Sequence, residues 1–359
     1  MNWIILCVIT WLATFVLSAL FTWACRLLAP RWGFVDEPKH EAHKNHARRT
    51  PVMGGLGMFT AWLCVVASGL LASKFSHSLL TERISDYFPG ISSVMKPLLT
   101  IVAGAALLTF WGMADDRKAM HALPKFGGQF VVAALTAWLG LRISCFWAVP
   151  GMNWLVTTFW IMTVINALNF FDNMDGLAGG TAAIAAFFLL FIALFRGQYF
   201  VATLSATVCG AACGFLWHNR PPAKIFMGDG GSHFLGYLLA VICVLTTFYV
   251  PSEAHTPAPL LIPFIILLVP LFDAVAVVFL RLREGKPFYV GDNRHISHRF
   301  TQIGLSRPFA VLLVCLLCFI CGVSAVLLLW LPIGGTVLVF LQLAAVLAVI
   351  SIIQFMTSK

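Results

Sequence analysis

The sequence predicts an all-α, polytopic membrane helix bundle of about eleven transmembrane helices, with the N-terminus outside and the C-terminus cytoplasmic. Three observations lead there. Of 359 residues, 60% are hydrophobic and 10% charged, against roughly 25% charged in an ordinary soluble domain. Apolar stretches long enough to cross a bilayer, about 20 residues each, recur between short polar segments. Lys and Arg crowd into alternate connections. The alternating strands of about ten residues that mark an outer-membrane barrel are absent.

The first span, 3–28, follows Met1 and Asn2 with no basic residue ahead of it and closes on Arg26 and Arg31. It therefore reads as a retained first helix with its N-terminus outside, not a cleaved signal peptide. The following apolar stretches fall at 52–73, 97–113, 127–147, 152–168, 177–195, 199–217, 233–250, 257–281, 309–331 and 334–356. Threading these through a bilayer from outside puts 18 Lys and Arg on the cytoplasmic side and leaves 5, Lys74, Arg83, Lys96, Arg142 and Arg196, outside, as the positive-inside bias requires. The net charge of +9 thus describes an inner surface suited to anionic head groups and phosphates. Nucleic acid is excluded as a partner, since that would need an exposed soluble basic domain. The ten cysteines lie almost entirely in apolar spans, where Cys acts as a small buried hydrophobe. Cys315, Cys318 and Cys321 follow helical spacing and are no metal cluster. With neither repeat nor linker, residues 1–359 form a single domain.

Ionisable residues are costly at bilayer depth and are usually functional there. They gather in five cytoplasmic connections, about 29–51, 114–126, 169–176, 218–232 and 282–308. In the first, Lys44, His46, Arg48, Arg49 and Thr50 precede Pro51 and Gly54-Gly55, where free backbone N–H groups at a helix start can face an anion. A basic loop touching lipid fits that segment equally well. The second carries Asp115-Asp116, then Lys125 and Gln129. Adjacent carboxylates repel each other and invite a divalent cation, Mg²⁺ when phosphates are the other ligands. The third, from Asn166 to Gly176, puts Asn169 and Asp172 three residues apart on one helix face. An N-cap role would explain Asp175 alone. In the fourth, Asp229 is the single acid in a glycine-rich turn that allows close approach to phosphate and could ligate a metal; a tight loop capped by Ser232 is the plainer alternative. The fifth holds Arg294, His295, His298 and Arg299. With no Glu between the histidines and no Cys nearby, phosphate or sugar recognition suits this segment better than zinc. Asp273, two turns inside the ninth span, needs a buried partner, and a structural role would suffice.

With these pieces assembled, the chain resembles the polyprenyl-phosphate N-acetylhexosamine-1-phosphate transferases along nearly its whole length. The matching residues are Lys44-x-His46 before Thr50-Pro51-x-x-Gly54-Gly55, Asp115-Asp116, Asn169-x-x-Asp172-Asn-Met-Asp175-Gly, Phe226-Met-Gly-Asp229-x-Gly-Ser232 and the His loop. Family members that use N-acetylglucosamine usually carry His-Ile/Leu-His-His-Arg where this chain has His295-Ile296-Ser297-His298-Arg299. The muramoyl-pentapeptide branch usually has three consecutive histidines, which this chain lacks.

The resemblance implies transfer of N-acetylhexosamine-1-phosphate, foremost N-acetylglucosamine-1-phosphate, from a UDP-sugar to undecaprenyl or another polyprenyl phosphate, with release of UMP at the cytoplasmic face of a bacterial inner membrane. It implies catalytic roles for Asp115, Asp116, Asp172, His295 and His298, with Asp116 nearest the nucleophile. Substrate would be held by Lys44, His46, Thr50, Lys125, Asn169, Arg294 and Arg299. Mg²⁺, or Mn²⁺ in its place, would sit on Asp115, Asp116 and Asp229. The oligomeric state stays open, a homodimer included.

Other classes fit less well. A transporter for an anionic solute would show paired halves and midplane charges, and Asp273 is the only such charge. A prenyl transferase would need an Asp three residues after the Asp115-Asp116 pair, where Ala119 stands. A CDP-alcohol transferase would follow Asp-Gly with x-x-Ala-Arg, whereas Asp175-Gly176 is followed by Leu, Ala and Gly.

Overall fold

The computed structural model describes residues 3–36, 49–79, 88–144, 149–287 and 294–356. Its helices are α1 Trp3–Leu28, α2 Gly54–Leu79, α3 Phe88–Arg117, α4 Ala122–Trp138, α5 Met152–Phe171, α6 Leu177–Phe195, α7 Tyr199–Asn219, α8 Gly228–Leu245, α9 Ile262–Ile266, α10 Leu268–Arg283, α11 Ile296–Gln302, α12 Arg307–Leu327 and α13 Ile333–Met356. Two short strands, β1 Val35–Asp36 and β2 Thr50–Pro51, pair antiparallel.

Among the described residues, nine helices are long and apolar enough to cross a membrane, which makes this a multi-pass membrane protein. The expectation of about eleven spans differs in detail at two places. The ninth expected span, 257–281, is a broken pair: Ala258–Ile266 and Leu268–Arg283 meet at 69°. Pro270 has no N–H to donate to the Ile266 carbonyl, which weakens the helical ladder where it breaks at Leu267. The expected span at 127–147 is instead α4, which starts earlier and has 17 residues, at the lower limit for crossing the hydrocarbon core.

Burial sorts the helices into centre and rim. In α8 every residue from Gly230 to Cys243 is buried, and α8 packs against α2, α3 and α5. By contrast α1 exposes Ile5, Val8, Leu12, Val16 and Leu20, a stripe suited to lipid. Glycines set how closely the central helices approach. A Cβ on Gly55 would lie 2.2 Å from the Gly231 nitrogen, and one on Gly112 would lie 2.4 Å from the Asp229 carbonyl carbon. Small residues at such crossings let backbones touch, as membrane bundles commonly require. These contacts bring the ends of α2, α3 and α8 together beside α4 and α5.

Candidate functional site

All five polar connections, so far as they are described, meet at one end of the bundle, and a bond network joins them. The strand segment starts it. Gly54 and Gly55 donate their N–H groups to the Phe226 and Met227 carbonyls at 3.0 Å each, and Phe226 returns an N–H to Pro51 at 2.9 Å. This corrects the expectation that Gly54-Gly55 offers free N–H groups to an anion: those donors are spent on the loop before α8. Thr50 is buried and paired with Asp36 in the two-stranded ladder. Lys44 and His46 lie outside the described residues.

The acidic centre lies where α3, α4 and α8 meet. Asp115 and Asp116 belong to the last turn of α3, not to a loop. Acids there oppose the helix dipole, and both are compensated. Asp115 accepts the Met120 N–H and pairs with Lys125 Nζ at 2.9 Å. Asp116 spans the start of α8, accepting N–H groups from Asp229 at 2.7 Å and Gly230 at 3.1 Å. The α8 terminus thus takes its cap from another helix, and Ser232, whose hydroxyl instead bonds the Asp229 carbonyl at 3.3 Å, does not serve as one. Each Asp116 oxygen accepts one backbone N–H, so this carboxylate has a capping role besides the metal role expected of it.

Asp229 completes the centre. One of its oxygens contacts Lys125 Nζ, and the other accepts from Asn169 Nδ2 at 2.6 Å. Asn169 also donates to Ser232 Oγ at 2.9 Å. Lys125 therefore sits between the carboxylates of Asp115 and Asp229. The described residues contain no group of three His, Cys, Asp or Glu side chains spaced to hold a metal by themselves. Mg²⁺ needs no such cage, since it keeps waters and uses one or two carboxylates plus substrate phosphates. Two carboxylate oxygens already converging on one cation form a donor set that fits it, and Mn²⁺ equally.

The Asp172 loop is tied to its neighbours. Asp172 is the residue that ends α5, so it does not extend the Asn169 face as expected but turns into the loop. Burial, with the charges of Asp229 and Asp175 added, pushes its carboxyl up to about 8. Asp175 accepts the Ala223 N–H at 2.9 Å. Asn219 accepts from Gly176 at 2.8 Å and donates to the Ile225 carbonyl at 2.9 Å. Gly176 holds φ at 80°, a left-handed value that favours glycine.

The His loop brings Asp273 its partner. Asp273 is 1% exposed and His295 5%; one Asp273 oxygen meets His295 Nδ1 at 2.6 Å, and the other accepts the Ile296 N–H at 2.7 Å. The acid therefore fixes both the imidazole and the first turn of α11. His298 is half-buried, its ring 6.5 Å from that of His295. Arg299 is buried and reaches Gln302 at 3.4 Å. Arg294, expected to bind substrate, pairs with Glu284.

A buried chain continues below the acids and was missed as a unit in the sequence. Asn166 Nδ2 donates to Gln129 Oε1 at 2.7 Å, and Gln129 Nε2 lies 3.0 Å from His233 Nε2. His233 stands one turn after Asp229. A polar residue four places after an acid in an apolar stretch was the signal available.

Known proteins resemble this chain over most of its length. Residues 98–247, from α3 to just past α8, match the profile described as glycosyl transferase family 4. The chain is 32% identical over 353 residues to a Bacillus subtilis protein named probable undecaprenyl-phosphate N-acetylglucosaminyl 1-phosphate transferase, covering 94% of this chain and 91% of that one. A Mycobacterium tuberculosis decaprenyl-phosphate N-acetylglucosaminephosphotransferase is 31% identical, over 83% of this chain and 76% of its own. A Geobacillus kaustophilus phospho-N-acetylmuramoyl-pentapeptide-transferase is 34% identical, over 66% of this chain and 73% of its own.

Proposed function

Because the chain belongs to glycosyl transferase family 4, we propose that it transfers N-acetylglucosamine-1-phosphate, or a close N-acetylhexosamine-1-phosphate, from a UDP-sugar to a polyprenyl phosphate and releases UMP. The observation that carries this reading is the convergence of Asp115 and Asp229 on one cation, Lys125, where three helix ends meet. Such a centre suits two phosphorylated substrates that must be brought together against their own repulsion. The Lys and Arg asymmetry of the sequence supports reading this end of the bundle as the cytoplasmic one, in a bacterial inner membrane.

The lipid phosphate is the nucleophile. A phosphate monoester has a second pKa of about 6 and is largely dianionic at neutral pH, so its oxygen needs little help to attack the β-phosphate of the donor. Positioning and charge neutralisation are what the protein must supply. Asp115 and Asp229 would hold Mg²⁺. Such an ion, when bound, would supply neutralisation of phosphate charge. Lys125 adds a fixed positive charge beside the same carboxylates. Asn169 holds the Asp229 carboxylate in one orientation, and Asp116 fixes the helix end that carries it. The His295, His298 and Arg299 helix provides donors to sugar or diphosphate.

The decisive assay measures UMP release by purified protein given polyprenyl phosphate and a panel of UDP-sugars, with sealed vesicles of each orientation as a second arm. N-acetylhexosamine donors should release UMP, and in vesicles only where the cytoplasmic side faces the medium. No UMP with any donor would sink the reading. Turnover confined to a muramoyl-pentapeptide donor would move the chain to the branch of its Geobacillus relative.

A further inference from the structure

We propose that Ser297 is a positioning residue whose hydroxyl, acting through Asn173, locks the His295–His298 helix to the Asp172 loop and so sets the affinity for the sugar donor. The inference rests on the donor role assigned above to that helix.

Most helical hydroxyls in this bundle donate to a carbonyl three or four residues earlier on their own helix, as Thr109, Thr136 and Ser205 do. Ser297 sits in the first turn of α11, where no helical carbonyl lies behind it. Its side chain is fully buried, and its hydroxyl donates to Asn173 Oδ1 at 2.6 Å. The other end of that amide is also committed, with Asn173 Nδ2 donating to the Phe170 carbonyl at 2.9 Å. The chain of bonds therefore runs from α11 through one amide to the last turn of α5.

Asp172 lies between the two α5-side anchors. Its own N–H bonds Asn169 at 3.2 Å, and Asn173 on its other side is held by Ser297 and Phe170. On α11, Ser297 lies between His295, held by Asp273, and His298. Two side-chain anchors hold the start of α11: Asp273 binds His295 and Ile296, and Asn173 binds Ser297 one residue further on. The first ties α11 to the broken helix pair. The second ties it to the loop that carries Asp172. A hydroxyl to amide bond is directional, and here its donor is fully buried and its acceptor half-buried, so losing it removes a direct tie that sets the spacing between the two halves of the site.

The test compares Ser297→Ala, Asn173→Ala, the double variant and Ser297→Thr in purified protein with UDP-N-acetylglucosamine and polyprenyl phosphate. The expected result is a rise in donor KM on the order of tenfold in each Ala variant, an unchanged lipid KM, a double variant no worse than either single, and near-normal values for Ser297→Thr. If Ser297→Ala fails to insert, Ser297→Cys takes its place. Wild-type donor KM in a folded single variant, or single effects that multiply in the double, would overturn the proposal. Equal rises in donor and lipid KM would also overturn it, as general loosening. Absence of UMP release by the wild type would instead overturn the underlying donor assignment.

Discussion

Lys125 has two carboxylate partners, Asp115 and Asp229, and this makes Asp229 the most exacting side chain in the site. Its other oxygen accepts from Asn169, so Asp229→Asn removes charge from the cation centre while leaving the side-chain volume in place. Asp229→Asn should lower turnover by at least 100-fold, an order-of-magnitude figure for a lost electrostatic group, while thermal stability in detergent stays close to wild type. Near-normal turnover would remove Asp229 from the mechanism. Asp172 gives a second measurement at this scale. Its folded carboxyl lies at about 8 and its unfolded value at about 3.9, so between those values the folded state holds the extra proton. Stability from this group therefore falls as pH rises from about 4 to about 8. The melting midpoint in detergent should decline over that range more steeply for wild type than for Asp172→Asn, and parallel slopes would contradict the assignment. Residue identities at the site were legible in the sequence, but their partners were not. That Asp273 would need a partner followed from its depth, yet His295 as the partner depends on a contact 22 residues away. Asp116 as the cap of α8 spans 113 residues, beyond any local pattern.

Between elements, the site depends on how closely α3 and α8 approach. Gly112 meets the Asp229 and Gly230 backbone at distances a Cβ cannot share, so any side chain there must push the α8 start away from Asp116. Gly127, in α4, would place its Cβ in open space. Gly112→Ala should lose most activity and destabilise the protein by roughly 1–3 kcal/mol as an overpacked contact. Gly127→Ala should be neutral or stabilising, by up to about 1 kcal/mol from helix propensity. Denaturation and UMP release on both variants check this, and equal behaviour would refute the close-approach argument. The same kind of close contact decides the role of Gly54-Gly55. Glycines before a helix suit an anion site and a tight crossing alike, and only the pairing with Phe226 and Met227 decides between them. The break at Leu267 and the short α4 were also hidden, because hydropathy registers apolar length but not where a ladder fails.

The whole molecule is a set of lipid-facing helices around a buried α8, with its chemistry gathered at one end. That much was legible: composition fixed the class, and ionisable residues fell into five connections that the fold brings together wherever they are described. What emerges from three dimensions is the wiring, since Thr50-Pro51, Asp115-Asp116, Asp172 to Asp175, Asp229 and the His helix each bond to a segment distant in sequence. The central claim is that this end moves a sugar together with its phosphate. It is tested most directly with UDP-N-acetylglucosamine labelled in the β-phosphate, purified protein and polyprenyl phosphate. The account predicts that the label enters the lipid fraction in step with unlabelled UMP release. Label left in a nucleotide diphosphate while sugar reaches the lipid would contradict it.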